Sequence, residues 1–139
     1  MKNFTLLLSA LLLSAYSFAQ LKVTKITSKD QNHYIATVIG YPVAGVYTLV
    51  NQIEPSTQLN DDGTGFIQNE NFEKVNIIWG IECSESGIPI FKEGFSSAAY
   101  TLWYQKITEE MEWESMQFSI HYEKKKMFID GERVKDYLE

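Results

Sequence analysis

A chain of 139 residues, 45% hydrophobic, 14% aromatic and 22% charged, has the size and composition of one folded domain. This excludes a disordered polymer and a collagen, and the one Cys excludes a disulfide scaffold. The formal charge of −6, with 18 acidic residues, opposes a nucleic-acid or anionic-membrane surface.

Residues 1–19 read as a secretory signal peptide. Lys2 is the lone charge, an apolar run occupies 6–13, and Ser17-Phe18-Ala19 offers a small-x-small cleavage site. The run is too short to span a membrane as a permanent helix. No Cys stands at the new N-terminus to take a lipid. The expectation is an exported protein, periplasmic or extracellular, with a single β domain over 20–139 that begins at Gln20 and has no membrane span. An exported chain with a lone Cys forms no internal disulfide, so Cys83 is either buried or paired with another molecule.

Beyond the leader the dominant period is two, the signature of strands. Short strands are predicted at 22–28 and 34–40. In the next, Val43, Gly45, Tyr47 and Leu49 share one parity. Strands at 56–60 and 65–69 flank Asp61-Asp62-Gly63-Thr64-Gly65, a tight turn whose Asp-Gly supplies positive φ. The clearest alternation follows at 75–83. Val75, Ile77, Trp79, Ile81 and Cys83 share a face, which predicts a buried, inert thiol. Ser84-Glu85-Ser86-Gly87 is another turn, and 88–92 another strand. Tyr100, Leu102 and Tyr104 then alternate with Thr101, Trp103 and Gln105.

A weak helical turn or two is predicted within 108–116. Glu109, Glu110, Glu112 and Glu114 around Met111 and Trp113 read as a solvated loop. Met116, Phe118, Ile120 and Tyr122 mark the next strand. Glu123-Lys124-Lys125-Lys126 is a charged reversal, its lysines guarding an edge. Strands at 127–129 and 132–138 bracket an Asp130-Gly131 turn. Short strands with turns at this spacing predict an all-β fold, an antiparallel barrel or, alternatively, a β-sandwich.

Gly45-Val46-Tyr47, then Gln58-Leu59-Asn60-Asp61-Asp62-Gly63-Thr64-Gly65, then an aromatic strand, resemble a lipocalin-like β-barrel domain of bacterial secreted proteins over about 45–138. In that group an early Gly-x-Trp strand sits near a basic residue of the last strand. Tyr47 stands here in place of the Trp, and Arg133, the sole Arg, is the basic counterpart. The resemblance implies an up-and-down barrel with a small apolar ligand at one open end, and Arg133 packing against Tyr47 where the barrel closes. An eight-stranded barrel is just wide enough to be filled by side chains or to hold one small ligand. Bulky inward Tyr and Trp residues predict a small cavity or none.

No residue set in the sequence carries catalysis or metal binding. Asp61-Asp62-Gly63-Thr64 reverses the order of an aspartic-protease loop and has no second copy. It also lacks the alternating acids and late Glu of a Ca²⁺ loop. Ser119 and His121 are neighbours on one strand face without a third residue or a nucleophile turn. His33, His121 and an inward Cys83 do not supply a zinc site. The expectation is therefore a non-catalytic protein without cofactor or metal that binds a small apolar or amphipathic ligand through Tyr47, Trp79, Tyr100 and Trp103. The alternative is a protein or glycan interaction module that uses an exposed aromatic face containing Trp103, with Trp113 as a contact. A hidden hydrolytic site, with His33 or His121 meeting distant Ser or Glu residues, is the third reading.

Overall fold

The computed structural model describes residues 22–38 and 43–135. The leader predicted at 1–19 lies outside the described residues, as do the ends of the strands predicted at 34–40 and 132–138. The described residues form antiparallel strands and no helix: β1 (Thr24–Ser28), β2 (Gln31–Ala36), β3 (Gly45–Tyr47), β4 (Thr57–Leu59), β5 (Thr64–Gln68), β6 (Lys74–Cys83), β7 (Phe91–Gly94), β8 (Ser97–Lys106), β9 (Trp113–His121), β10 (Lys126–Ile129) and β11 (Glu132–Arg133). The turn or two of helix predicted within 108–116 is replaced by a loop and the start of β9. Residue-for-residue pairing of β9 with β8, from Ser97↔His121 to Gln105↔Trp113, takes Trp113 and Glu114 into the ladder and leaves Glu109, Glu110 and Glu112 in the loop.

The sheet runs β11-β10-β9-β8-β6-β5-β4-β3. Its two ends meet. Leu49 bridges Val134, the Val50 N–H donates to the Arg133 carbonyl at 3.0 Å, and the Lys135 N–H donates to the Thr48 carbonyl at 2.7 Å. The result is a barrel-like curl, as the alternation and turns predict. The path departs from a plain meander in two places. After β6 the chain makes an excursion, tied by a Cys83–Pro89 bridge, and returns as β7 along the same edge of β8. The β1–β2 hairpin lies outside the ring and pairs with the far end of β6 through Tyr34↔Cys83, Ile35↔Glu82 and Ala36↔Ile81.

Alternation decides what is inside. Ile77, Trp79, Ile81 and Cys83 of β6, Tyr100 and Leu102 of β8, and Phe118 and Ile120 of β9 are all buried. With Tyr47, Leu59, Met127 and Val134 these residues, Cys83 apart, fill the barrel's middle. Each large side chain so buried stabilises the fold by about 1.5–3 kcal/mol. Two hairpins use two-residue turns with positive φ at both positions: Asp130-Gly131, at 51° and 83°, and Lys29-Asp30, at 48° and 61°. Right-handed strand twist demands this geometry. In the second turn it falls on a Lys, which gives no sequence signal for it.

Candidate functional site

The packed core stops short of one end of the barrel. A cleft of about 600 Å³ opens there. Leu49, Ile67, Met116 and Ile129 form its apolar floor, and Ser56, Thr57 and Tyr104 its wall. Its rim carries Gln68, Asn69, Glu70, Asn71, Lys106, Asp130 and Glu132. The strands build this gradient locally. Along β8 the inward parity runs Ala98, Tyr100, Leu102, then Tyr104 and Lys106, so the interior changes from apolar to polar within two residues. Along β9 the same parity ends at Glu114 beside Met116.

These groups are coupled. Lys106 Nζ lies 3.5 Å from Glu114 Oε2. Burial, then a hydrogen bond to Glu114 and the charges of Glu114 and Asp130, push the Tyr104 hydroxyl well above the usual tyrosine range. Tyr104 therefore keeps its proton at neutral pH. A second cleft, of about 450 Å³, adjoins through Gln68 and is lined by Asn51, Gln52, Ile53, Glu54 and Phe72. Ile53 and Phe72 are 96% and 71% exposed, so apolar side chains stand free at this rim. Two acceptors in this region, Gln52 Oε1 and Gln68 Oε1, are shielded from solvent and have no hydrogen-bond donor. A buried acceptor left unpaired costs about 1–3 kcal/mol.

The opposite end is closed by hydrogen bonds. Trp79 points its indole N–H between the Asn60 and Thr64 carbonyls, at 3.1 and 3.0 Å. The Asp62 carboxylate accepts from the Thr64 hydroxyl and N–H at 2.6 and 2.9 Å, which lowers its pKa below the ordinary 3.8. The 61–65 segment is thus the hairpin turn that its Asp-Gly predicts. A cleft of about 440 Å³ separates it from the β1–β2 hairpin, with Ile35, Trp79 and Trp113 among its walls.

Tyr47, Trp79 and Tyr100 sit in the barrel core, and none of them lines the mouth cleft. The Tyr47 hydroxyl donates to the Val43 carbonyl, and its ring meets Phe118 edge-on at 5.8 Å. The Tyr100 hydroxyl is 3.2 Å from that of Tyr122. Trp103 is on the outer face, opposite Gly80, where the His33 ring covers it at 4.4 Å. Arg133 is at the closure, but it acts there through its carbonyl while its side chain is exposed and Tyr47 is buried. Trp113 is not in a loop. It opens β9, half-buried, and its carbonyl accepts from the Ser28 hydroxyl at 3.4 Å.

Cys83 is buried, as its parity predicts, and burial with the neighbouring Glu82 charge raises its thiol pKa. His121 lies against Phe128 at 5.1 Å, and His33 against Glu82. Among the described residues no group of three or more His, Cys, Asp or Glu is placed to hold a metal ion. Among them, too, no helix is long and apolar enough to cross a membrane. The mouth residues were reachable from sequence only through position. Tyr104 and Lys106 are polar residues on an inward parity, at the end of β8. No known protein family, curated protein or solved structure matches the chain.

Proposed function

We propose that this chain is an exported, non-catalytic binding protein that holds a small amphipathic ligand in the mouth cleft. The observation that carries the reading is the cleft's composition, an apolar floor on Leu49, Ile67, Met116 and Ile129 under a polar rim. Small-molecule sites are concave and join apolar surface to placed polar groups, and this cleft joins the two with a lining more polar than apolar. Tyr104 and Thr57 supply hydroxyls there, and the packed middle of the barrel limits entry to the mouth. Export rests on the leader pattern at 1–19.

The test is native mass spectrometry of the full chain expressed with export. A reproducible adduct that leaves on activation and is lost in Met116→Trp, which fills the floor, is the expected result. A bare monomer, or an adduct indifferent to that substitution, overturns the reading.

A second reading, an interaction module for a protein, draws on β7 rather than on Trp103 or Trp113. Ile88, Ile90, Phe91 and Phe95 are exposed around this strand, Phe95 to 98% at a hairpin tip. Retention of a partner by the parent but not by a Phe91→Ser, Phe95→Ser variant would support it. Equal retention by both sinks it.

A further inference from the structure

We infer that two adjacent hairpin tips, at the end of β8 away from the mouth, dock on an anionic lipid surface. Docking there is independent of the ligand in the mouth, and it gives the β7 surface a lipid partner in place of a protein. Gly94 pairs with Ser97, so Phe95 and Ser96 alone turn β7 into β8. Lys126 pairs with His121, so Tyr122, Glu123, Lys124 and Lys125 turn β9 into β10. Ser97 stands opposite His121 across β8 and β9, and the Tyr122 N–H donates to the Ser96 carbonyl at 3.1 Å. Neighbouring strands lie about 4.8 Å apart, so the two tips project side by side.

One tip is apolar and the other basic. Phe95 is 98% exposed, and Phe91, further back on β7, is exposed too. Lys92, Lys124 and Lys125 are exposed, and Lys126 is half-buried beside them. Against these lysines the two hairpins carry Glu93 and Glu123. Glu85 adds a carboxylate in the turn before β7, while Glu82 is held by His33, and Asp61 and Asp62 belong to the β4–β5 turn across β6. Lysines therefore prevail here in a chain whose formal charge is −6. That total opposes an anionic surface, but at physiological ionic strength charges act over only about 8 Å, so the tips decide the encounter. In a protein partner, a bare phenyl ring on a projecting turn needs a preformed pocket. A bilayer yields to it where head groups meet acyl chains. Lysine stems lie along the same boundary while their ammonium groups stay with the phosphates.

The experiment sediments the full exported chain with vesicles of phosphatidylcholine alone and of an equal mixture with phosphatidylglycerol. The expected result is about tenfold tighter binding to the mixed vesicles, lost at high salt. Phe95→Ser should weaken that binding about tenfold. A Lys124→Gln, Lys125→Asn variant should lose most of the preference for the mixed vesicles. Asn tolerates the φ of 48° at position 125, so the turn is kept. Met116→Trp, which fills the mouth, should bind vesicles as the parent does. Loss of binding in that variant places a single lipid in the mouth and overturns the docking. Equal binding to both vesicles, or undiminished binding by either tip variant, overturns it as well. Binding to neither vesicle overturns it and leaves the β7 surface to a protein partner.

Discussion

Glu82 Oε1 lies 2.7 Å from His33 Nδ1, and the same imidazole rests on Trp103 with ring centres 4.4 Å apart. Both partners keep only about a fifth of their side-chain surface, at 18% and 21%. One contact set therefore latches the β1–β2 hairpin onto the outer face of β6 and β8. His33→Leu or Glu82→Leu is expected to cost about 1–2 kcal/mol. Hydrogen exchange should show faster exchange in β1 and β2 with β9 unchanged. Uniform acceleration across all strands would mean that the pair supports the whole barrel instead.

Gly80 lets Ile35 lie against the sheet. A Cβ at that position would sit 2.7 Å from the Ile35 Cβ. Gly80→Ala should destabilise by about 1–3 kcal/mol through overpacking. In an Ile35→Gly background, which lacks the Cβ that the new methyl meets, Gly80→Ala should cost less, read as a favourable coupling in urea melts. Strict additivity would show that the strain lies elsewhere.

Trp79→Phe keeps the buried ring but removes the N–H that the Asn60 and Thr64 carbonyls share. The expected loss is about 1–2 kcal/mol. Amide signals of residues 60–64 should shift and those of the mouth should not. A shift confined to β9 would contradict the staple.

The pH profile follows from two groups that the fold holds neutral. Burial raises Cys83 from its ordinary 9.0, and burial raises Tyr104 from its ordinary 10.0. Above 9 the unfolded chain releases a thiol proton that the folded chain retains, and above 10 a phenol proton. Stability should therefore be fully present below 9 and decline as pH rises through 9 and then past 10. Cys83→Ala should flatten the first part of the decline. In parallel, Cys83 should resist alkylation in the native protein and react in urea. Rapid native alkylation at pH 8 would contradict its burial.

The strands were legible wherever alternation was long. The run from Val75 to Cys83 fixes its own inward face, and Asp62-Gly63 and Asp130-Gly131 announce their turns. Lys29-Asp30 does not, because a lysine rarely accepts positive φ and the hairpin imposes it. Trp113 was expected in a loop because its acidic neighbours mimic one, and only pairing with Gln105 makes it a strand residue. Aromatic content points to Tyr47, Trp79 and Tyr100 as ligand contacts, and the fold buries all three rings in the core, where Trp79 also borders the cleft beside the β1–β2 hairpin. The mouth depends on where the six strands that line it stop, and stopping points are set by tertiary pairing that a local pattern does not encode.

The seam between Leu49 and Val134 is an isolated bridge just beyond β3 and β11, and it joins segments far apart in sequence. Such a contact has a large loop-closure entropy and forms after the local hairpins. A chain that emerges N-terminus first, from a ribosome or across a membrane, therefore holds a row of hairpins and no ring until residues 132–135 are out. During that interval the outer edge of β3 and the outer edge of β10 are both exposed.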